Sequence, residues 1–341
     1  MSADALTGRG AGRFRLARFA TWDVAIILVT LVFILIAAAT VENFGTSRNA
    51  GFLILDLAPI LMLALPMTLI IATGEIDLSV ASTVGLTSSA MGLMWNNGVP
   101  LETIMPLCVL IGAVLGAING LFVTVFGLPS LAVTIGTLAL YRGLSYVLLG
   151  DSAVADFPRQ FTGWSIGNIG DTPIPNVLIP MIVIAGLFAA VLHAMPVGRA
   201  IFASGSNPVA AAFAGIAVGP LKFWLFVVAG AVAGLVGVFW TLRYSSARAD
   251  NAYGLELTVV AAVLLGGVSI FGGTGTLPGV LAGVVLLTSL QNALRGDVSS
   301  EALTVVTGSL LIVSVLAPNV LAGVRTSMQR RRRRTRSPSS T

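Results

Sequence analysis

Two carboxylates, Glu75 and Asp77, interrupt an apolar run in the stretch T-L-I-I-A-T-G-E-I-D-L-S-V-A-S-T-V-G, residues 68–85. In a bilayer a charged carboxylate costs about 2.5 to 3.5 kcal/mol on insertion scales, so such a pair has to face protein, water or a pathway. Chemically it can hold a proton or sodium ion for coupled transport, or it can anchor a break in a helix. The bland alternative is a short loop between two ordinary spans, with both acids solvated at the interface. Gly74 allows the helix to stop just before the acids. The sharper reading is therefore a broken helix at a membrane-embedded functional centre, because irregular backbone at membrane depth is tolerated only where protein or a cavity surrounds it.

Little other reactive chemistry is available. The single histidine, His193, and the single cysteine, Cys108, cannot build the usual zinc, haem or iron-sulfur ligand sets. No metal site, cofactor or disulfide is expected, and Cys108 reads as a small buried hydrophobe. The only lysine, Lys222, is followed by Phe223, so the nucleotide-binding sequence G-x-x-x-x-G-K-[ST] is missing and no catalytic residue is assigned. Arg142, within an apolar stretch, needs an acidic partner or water. Asp56 and Glu256 are the acids at or inside span ends that can serve, and the plainer reading of Glu256, which precedes L-T-V-V-A-A-V-L-L-G-G, is an interfacial cap.

The elements that position these residues are apolar helices. The chain has 341 residues, of which 56% are apolar and only 10% charged, with a mean hydropathy of +0.96. A soluble domain carries about 25% charged residues, so this is an all-α integral membrane protein. Spans are predicted at 22–40, 52–73, 78–95, 104–126, 131–149, 177–195, 221–242, 257–271, 276–294 and 302–318, about ten transmembrane helices. The Arg-rich start leads into a first span kept as an anchor rather than a cleaved signal. With the N-terminus inside, the inner segments hold 4 + 2 + 7 = 13 of the 19 basic residues and the outer loops five, which places both termini in the cytoplasm. The division is a basic cytoplasmic N-terminus at 1–21, a membrane domain at 22–318 and a basic, disordered cytoplasmic tail at 319–341. The tail run Arg330–Arg334 suits anionic lipid headgroups or topology setting, and the charge distribution does not suggest nucleic acid.

Two loops are long. Residues 150–176, outside, are rich in Pro and Gly and offer Asp151, Asp156 and Asp171 as a docking or gating surface, or serve as a connector. Residues 196–220, inside, contain a short helix opened by Asn207 and Pro208 and closed near Gly215. Too short to bury Phe213 by itself, that helix needs a partner groove. An internal repeat is suggested by a second Gly-rich break at Gly272 and Gly273, 198 residues after Gly74 (272 − 74). Gly112, Gly116 and Gly120 share one helix face, as do Gly230 with Gly234 and Gly279 with Gly283, which suits close helix packing.

Taken together, T-G-E-I-D-L-S-V-A-S, the N-G-L of Asn119–Leu121, P-S-L-A-V-T-I-G-T-L-A-L-Y-R-G-L, V-G-R-A-I-F-A-S-G-S-N-P-V-A-A-A-F-A-G-I and L-E-L-T-V-V-A-A-V-L-L-G-G-V-S-I-F-G-G-T-G-T resemble the ribose-type sugar permeases of bacterial ATP-binding-cassette importers. The resemblance covers about residues 45–318, in order. It implies a permease subunit of the bacterial inner membrane for a monosaccharide or sugar-like solute, pairing with a second permease (identical or different), separate ATPase subunits and an extracytoplasmic solute-binding protein. It implies that Arg199, Gly205, Asn207, Phe213 and Gly215 belong to the segment gripped by the ATPase. Gly74, Glu75, Asp77, Ser79, Asn119, Arg142, Glu256, Gly272 and Gly273 become candidates for translocation or gating. Ala81 stands where the family usually has glycine and Thr258 where aspartate is common, which fits the rhamnose and autoinducer-2 branches at least as well as the ribose branch. An ion-coupled secondary transporter using Glu75 and Asp77 is the alternative.

Overall fold

The computed structural model describes residues 9–295, 298, 302–310 and 312. Twelve α-helices are defined there: α1 (Arg9–Thr40), α2 (Ser47–Ala72), α3 (Val80–Asn96), α4 (Leu101–Thr124), α5 (Ser130–Leu149), α6 (Arg159–Ile166), α7 (Leu178–Ala189), α8 (Pro196–Ser206), α9 (Pro208–Phe213), α10 (Val218–Tyr244), α11 (Leu255–Leu265) and α12 (Leu277–Leu294). A π-helical turn, Ala190–Ala194, extends α7 and carries the exposed His193. Residues 302–310 are helical as well, whereas the far part of the predicted span 302–318 and the basic tail fall outside the described residues. β-Structure among the described residues is limited to two isolated bridges, Val154 with Ala247 and Asn168 with Pro175.

Among the described residues, six helices are long and apolar enough to cross a membrane: Trp22–Thr40 of α1, then α2, α4, α5, α10 and α12. A seventh crossing is added if the segment Leu178–Ala194 and α8, bent by 70° at their junction, count as one. The 17 residues of α3 and 11 of α11 are shorter than the about 20 that span 30 Å of hydrocarbon. The predicted span 257–271 stops early, at Leu265, because Gly266 and Gly267 end the helix there.

Apolar on all sides, α2 occupies the middle of the bundle and is buried from Leu57 to Ala72. Around it pack α7, α10, α11 and α12, while α3 lies between α5 and α10. Glycine decides the closest crossing. A Cβ added at Gly112 or Gly116 of α4 would fall on the carbonyl oxygens of Gly230 and Phe226 in α10, and one at Gly230 or Gly234 would fall on those of Gly112 and Cys108. The two backbones therefore touch along the small-residue faces read from the sequence. Gly279 and Gly283 of α12 do the same against Gly266 and Ala262. At the other side α1 is fastened by Trp22, whose Nε1 donates to Leu265 O at 3.1 Å, and by Thr30, which donates to Ala282 O at 3.2 Å.

At the end opposite the helix breaks, the 150–176 loop caps the bundle, anchored by a few buried residues while most of its side chains are exposed. Val154 and Phe157 are buried, with the Phe157 ring 5.8 Å from that of Trp95. In the neighbouring loop Arg248 donates two hydrogen bonds to Asp250, and this pairing holds the Asp250 carboxyl below its ordinary value.

The glycine crossing predicts a contrast within one chain. Gly230→Leu must separate two backbones and should lower stability by about 3 kcal/mol or more, beyond ordinary overpacking. Gly136→Leu on α5, where a Cβ meets nothing within 4 Å, should change stability by less than about 0.5 kcal/mol. Thermal unfolding of the purified chain in detergent measures both.

Candidate functional site: the junction of two helix breaks

The first break begins with a glycine terminator. Gly74 has φ +84°, its N–H donates to Ile71 O at 2.9 Å, and the Glu75 N–H donates to Ile70 O at 3.3 Å. These two bonds form a Schellman motif, which satisfies carbonyls that the helix end leaves open. The chain then leaves helical structure through Asp77 and turns at Leu78 and Ser79 into α3, tied down on three sides. Ile76 N–H donates to Ser130 Oγ at 3.1 Å and Thr134 Oγ1 donates to Ile76 O at 3.2 Å, both from α5. Asp77, only 2% exposed, accepts from the Ser79 N–H at 2.9 Å and from Ser79 Oγ at 2.7 Å. Asn119 of α4 donates to that same Ser79 oxygen at 2.7 Å. Asp77, Ser79 and Asn119 thus form one connected network.

Glu75 is engaged differently. Its Oε1 meets Lys222 Nζ of α10 at 2.5 Å, the side chains being 18% and 15% exposed. The one lysine of the sequence therefore neutralises the first of the two acids.

The second break is also glycine-terminated. Gly267, with φ +90°, donates to Leu264 O at 2.9 Å, and Val268 donates to Val263 O at 3.4 Å, the same pair of bonds. Its far part reaches the first break: Gly273 N–H donates to Ala72 O at 2.9 Å, and a Cβ at Gly272 would come within 2.7 Å of Gly74 N. The C-terminal end of α8 fills the remaining side. A Cβ at Gly205 would collide with Ala72 O and with Gly273 N, and one at Gly273 would strike Ser206. Gly74, Gly205, Gly272 and Gly273 thus meet at a single point where three segments touch by backbone.

From this point α9 projects outward. Asn207 caps it by accepting from Ala210 N–H at 3.0 Å, Pro208 is its first residue, and Gly215 (φ +86°) ends it with a further Schellman pair, Gly215 to Ala212 O and Ile216 to Ala211 O. Ile201 and Ser204 of α8 are buried, Arg199 is exposed, and Phe213 is 90% exposed. Phe271, in the second break, is 80% exposed. The segment therefore forms two helices, one keyed into the bundle and one bare.

Arg142 and Glu256 lie away from this junction. Of the partners considered, an acid or water, neither Asp56 nor Glu256 makes an ion pair with Arg142. Its Nη1 donates to Ala249 O at 2.7 Å and Asn251 O at 2.9 Å, and its guanidinium stacks 5.5 Å from the Tyr253 ring centroid. Gly85 makes room for it, since a Cβ there would lie 2.5 Å from Nη1. Carbonyl oxygens in a turn stand where an acidic partner or water was expected. Glu256 sits in the first turn of α11. Asp56 pairs instead with Arg243 of α10, and Arg295 beyond α12 reaches its other oxygen at 2.7 Å without the alignment of a hydrogen bond.

A family described as the permease component of the branched-chain amino acid transport system matches residues 49–315. The chain belongs to this family. It is 30% identical to the autoinducer 2 import system permease protein LsrD of Enterobacter sp. (strain 638), over 86% of this chain and 92% of that protein. The LsrD of Klebsiella pneumoniae subsp. pneumoniae is 30% identical over 86% and 90%, and that of Yersinia enterocolitica 31% over 76% and 80%. No solved structure matches. The resemblance to ribose-type importer permeases is borne out, and the chain is a permease component of such a membrane transport system.

Several residues that organise this permease were not singled out in sequence: Ser130 and Thr134 beneath Ile76, and Lys222 as the partner of Glu75. The uniqueness of Lys222 at the start of a span was the available signal. Removing one partner of a mostly buried pair leaves a charge uncompensated, so Glu75→Gln should destabilise the permease by about 1 to 3 kcal/mol. The exchange Glu75→Lys with Lys222→Glu should recover part of that loss. A double-mutant cycle read by thermal unfolding measures the coupling.

Proposed function

We propose that this permease forms the translocation pathway of an ATP-driven importer for a monosaccharide or sugar-like solute, energised by a separate ATPase that grips α8 and α9. Its relatives named as autoinducer 2 import permeases support import of a small polar solute. One observation carries the coupling assignment: the α8 end touches both helix breaks through Gly205 and Ser206, while α9 beside it leaves Phe213 bare. A short helix with an unburied aromatic residue suits insertion into a partner groove. Glu75 and Asp77 then serve as structural or gating residues, since Lys222 and Ser79 already occupy them.

The end with the breaks is cytoplasmic in this reading, because it carries Arg199 and Lys222 and because Trp22, at the start of the span that follows the basic N-terminal sequence, packs beside Leu265 there. Counting α3 and α11, each lengthened by the break beside it, the bent segment of α7 and α8, and the helix from 302 with the six long helices gives ten crossings and both termini inside. Similar glycine terminators at Gly74 and Gly267, each followed by a helix, support an internal repeat. The partners are two ATPase copies, a second permease and an extracytoplasmic binding protein, which makes the outer cap its docking face.

Reconstitution in liposomes with the ATPase and binding protein tests the reading. Uptake should require ATP and ignore collapse of the proton gradient, in wild type and in Asp77→Asn alike. Uptake that stops with an uncoupler at constant ATP would overturn it in favour of ion coupling. An aromatic interface anchor contributes about 2 kcal/mol or more, so Phe213→Asp should weaken ATPase binding by roughly 30-fold. Unchanged binding would place the ATPase contact elsewhere.

A further inference from the structure

A cavity of about 550 Å³ lies at the capped end, far from the junction of the breaks. It is lined by Met62 of α2, Leu235 and Phe239 of α10, Met105 of α4, and Phe161 and Trp164 of α6. The size falls within the about 300 to 1,000 Å³ of ligand sites. Its walls are almost wholly apolar. Of its two polar lining residues, Ser165 already donates to Thr162 O at 2.7 Å, which leaves Gln160 at the rim. A sugar would lose its hydrogen bonds on entering, whereas a hydrocarbon chain would lose none.

Position and charge identify the occupant. The flanking helices continue into broad exposed apolar surface, Leu107 and Leu110 on α4 and Ile179 and Val183 on α7, which is the surface a spanning bundle turns to lipid. Beside Gln160, at the first turn of α6, stands the exposed Arg159. Among the described residues it makes no ion pair, not even with Asp156 three positions earlier. An exposed cation next in sequence to the lining residue Gln160, beside an apolar slot, matches the two ends of one molecule. We propose that this cavity holds one acyl chain of an anionic phospholipid, whose phosphate is set against Arg159.

Native mass spectrometry of the full chain, purified and incubated with phosphatidylglycerol or phosphatidylcholine, tests the site. Wild type should retain one phosphatidylglycerol per chain after detergent washing. Leu235→Trp, which fills the slot, should retain none at an unchanged thermal midpoint, and Arg159→Gln should lose the preference for phosphatidylglycerol over phosphatidylcholine. Shortening the acyl chains should reduce retention by about fourfold per methylene, the worth of its burial. Equal retention by wild type and Leu235→Trp would show unspecific surrounding lipid and overturn the proposal. A chain whose oligomer falls apart on Leu235→Trp, with lipid absent from wild type, would assign the slot to a protein partner instead. Should that variant fail to fold, the chain-length series on wild type decides alone, and a flat series refutes the site.

Discussion

The carbonyl of Ala72 has no helical donor, because α2 ends beside it, and it accepts instead from Gly273 N–H on a segment two hundred residues away in sequence. Within a bilayer no water relieves such a group, and leaving it bare costs several kcal/mol. Each break can thus persist only where protein closes around it. The glycine terminators satisfy the carbonyls inside each helix end, and the contact between breaks satisfies one that the terminators leave over. Backbone can approach this closely only where Cβ atoms are missing, which fixes the residue type at Gly205, Gly272 and Gly273.

The same constraint governs the charges. Asp77 is held by a hydroxyl and an N–H from its own turn, Glu75 by the lone lysine, Asp56 by two arginines, and Arg142 by carbonyl oxygens. Buried ion pairs rarely add net stability, since desolvation offsets most of the attraction, yet removing one partner is costly. Their effect is to forbid alternative packings: α10 cannot shift along α2 without exposing Glu75 at one end and Asp56 at the other. Two pairs at opposite ends of one helix interface set its register.

What the sequence disclosed follows from locality. Gly74 before the acids, Asn207-Pro208 with Gly215, and glycines spaced four apart each act within a few residues, and each is found doing so. Non-local pairing was beyond reach. Glu75 and Lys222 are 147 positions apart, and nothing in hydropathy chooses between Asp56 and Glu256 for Arg142. The acceptors of Arg142 are main-chain oxygens, which carry no residue signature at all. The early end of α11 had its signal in Gly266 and Gly267, outweighed by the apolar residues Val268, Ile270 and Phe271 that extend the run.

On the proposed reading, the glycine junction limits how force can pass inward. α8 has no side chain at Gly205 to compress and no gap to close, so a push on α9 reaches Ala72 and Gly273 directly. The Gly273–Ala72 bond and the Glu75–Lys222 pair are anchored three residues apart along the chain (75 − 72), and separating the breaks loses the first while moving α10 loses the second. Since α2 is enclosed along most of its length and α12 is fastened to α1 and α11, the segment best able to yield is the longer second break. It spans 266–276, with three glycines at positive φ after Val268, whereas the first break spans only 73–79 and is tied to α4, α5 and α10. Movement driven from α9 would therefore bend the second break against the first, with Ala72 as its fulcrum.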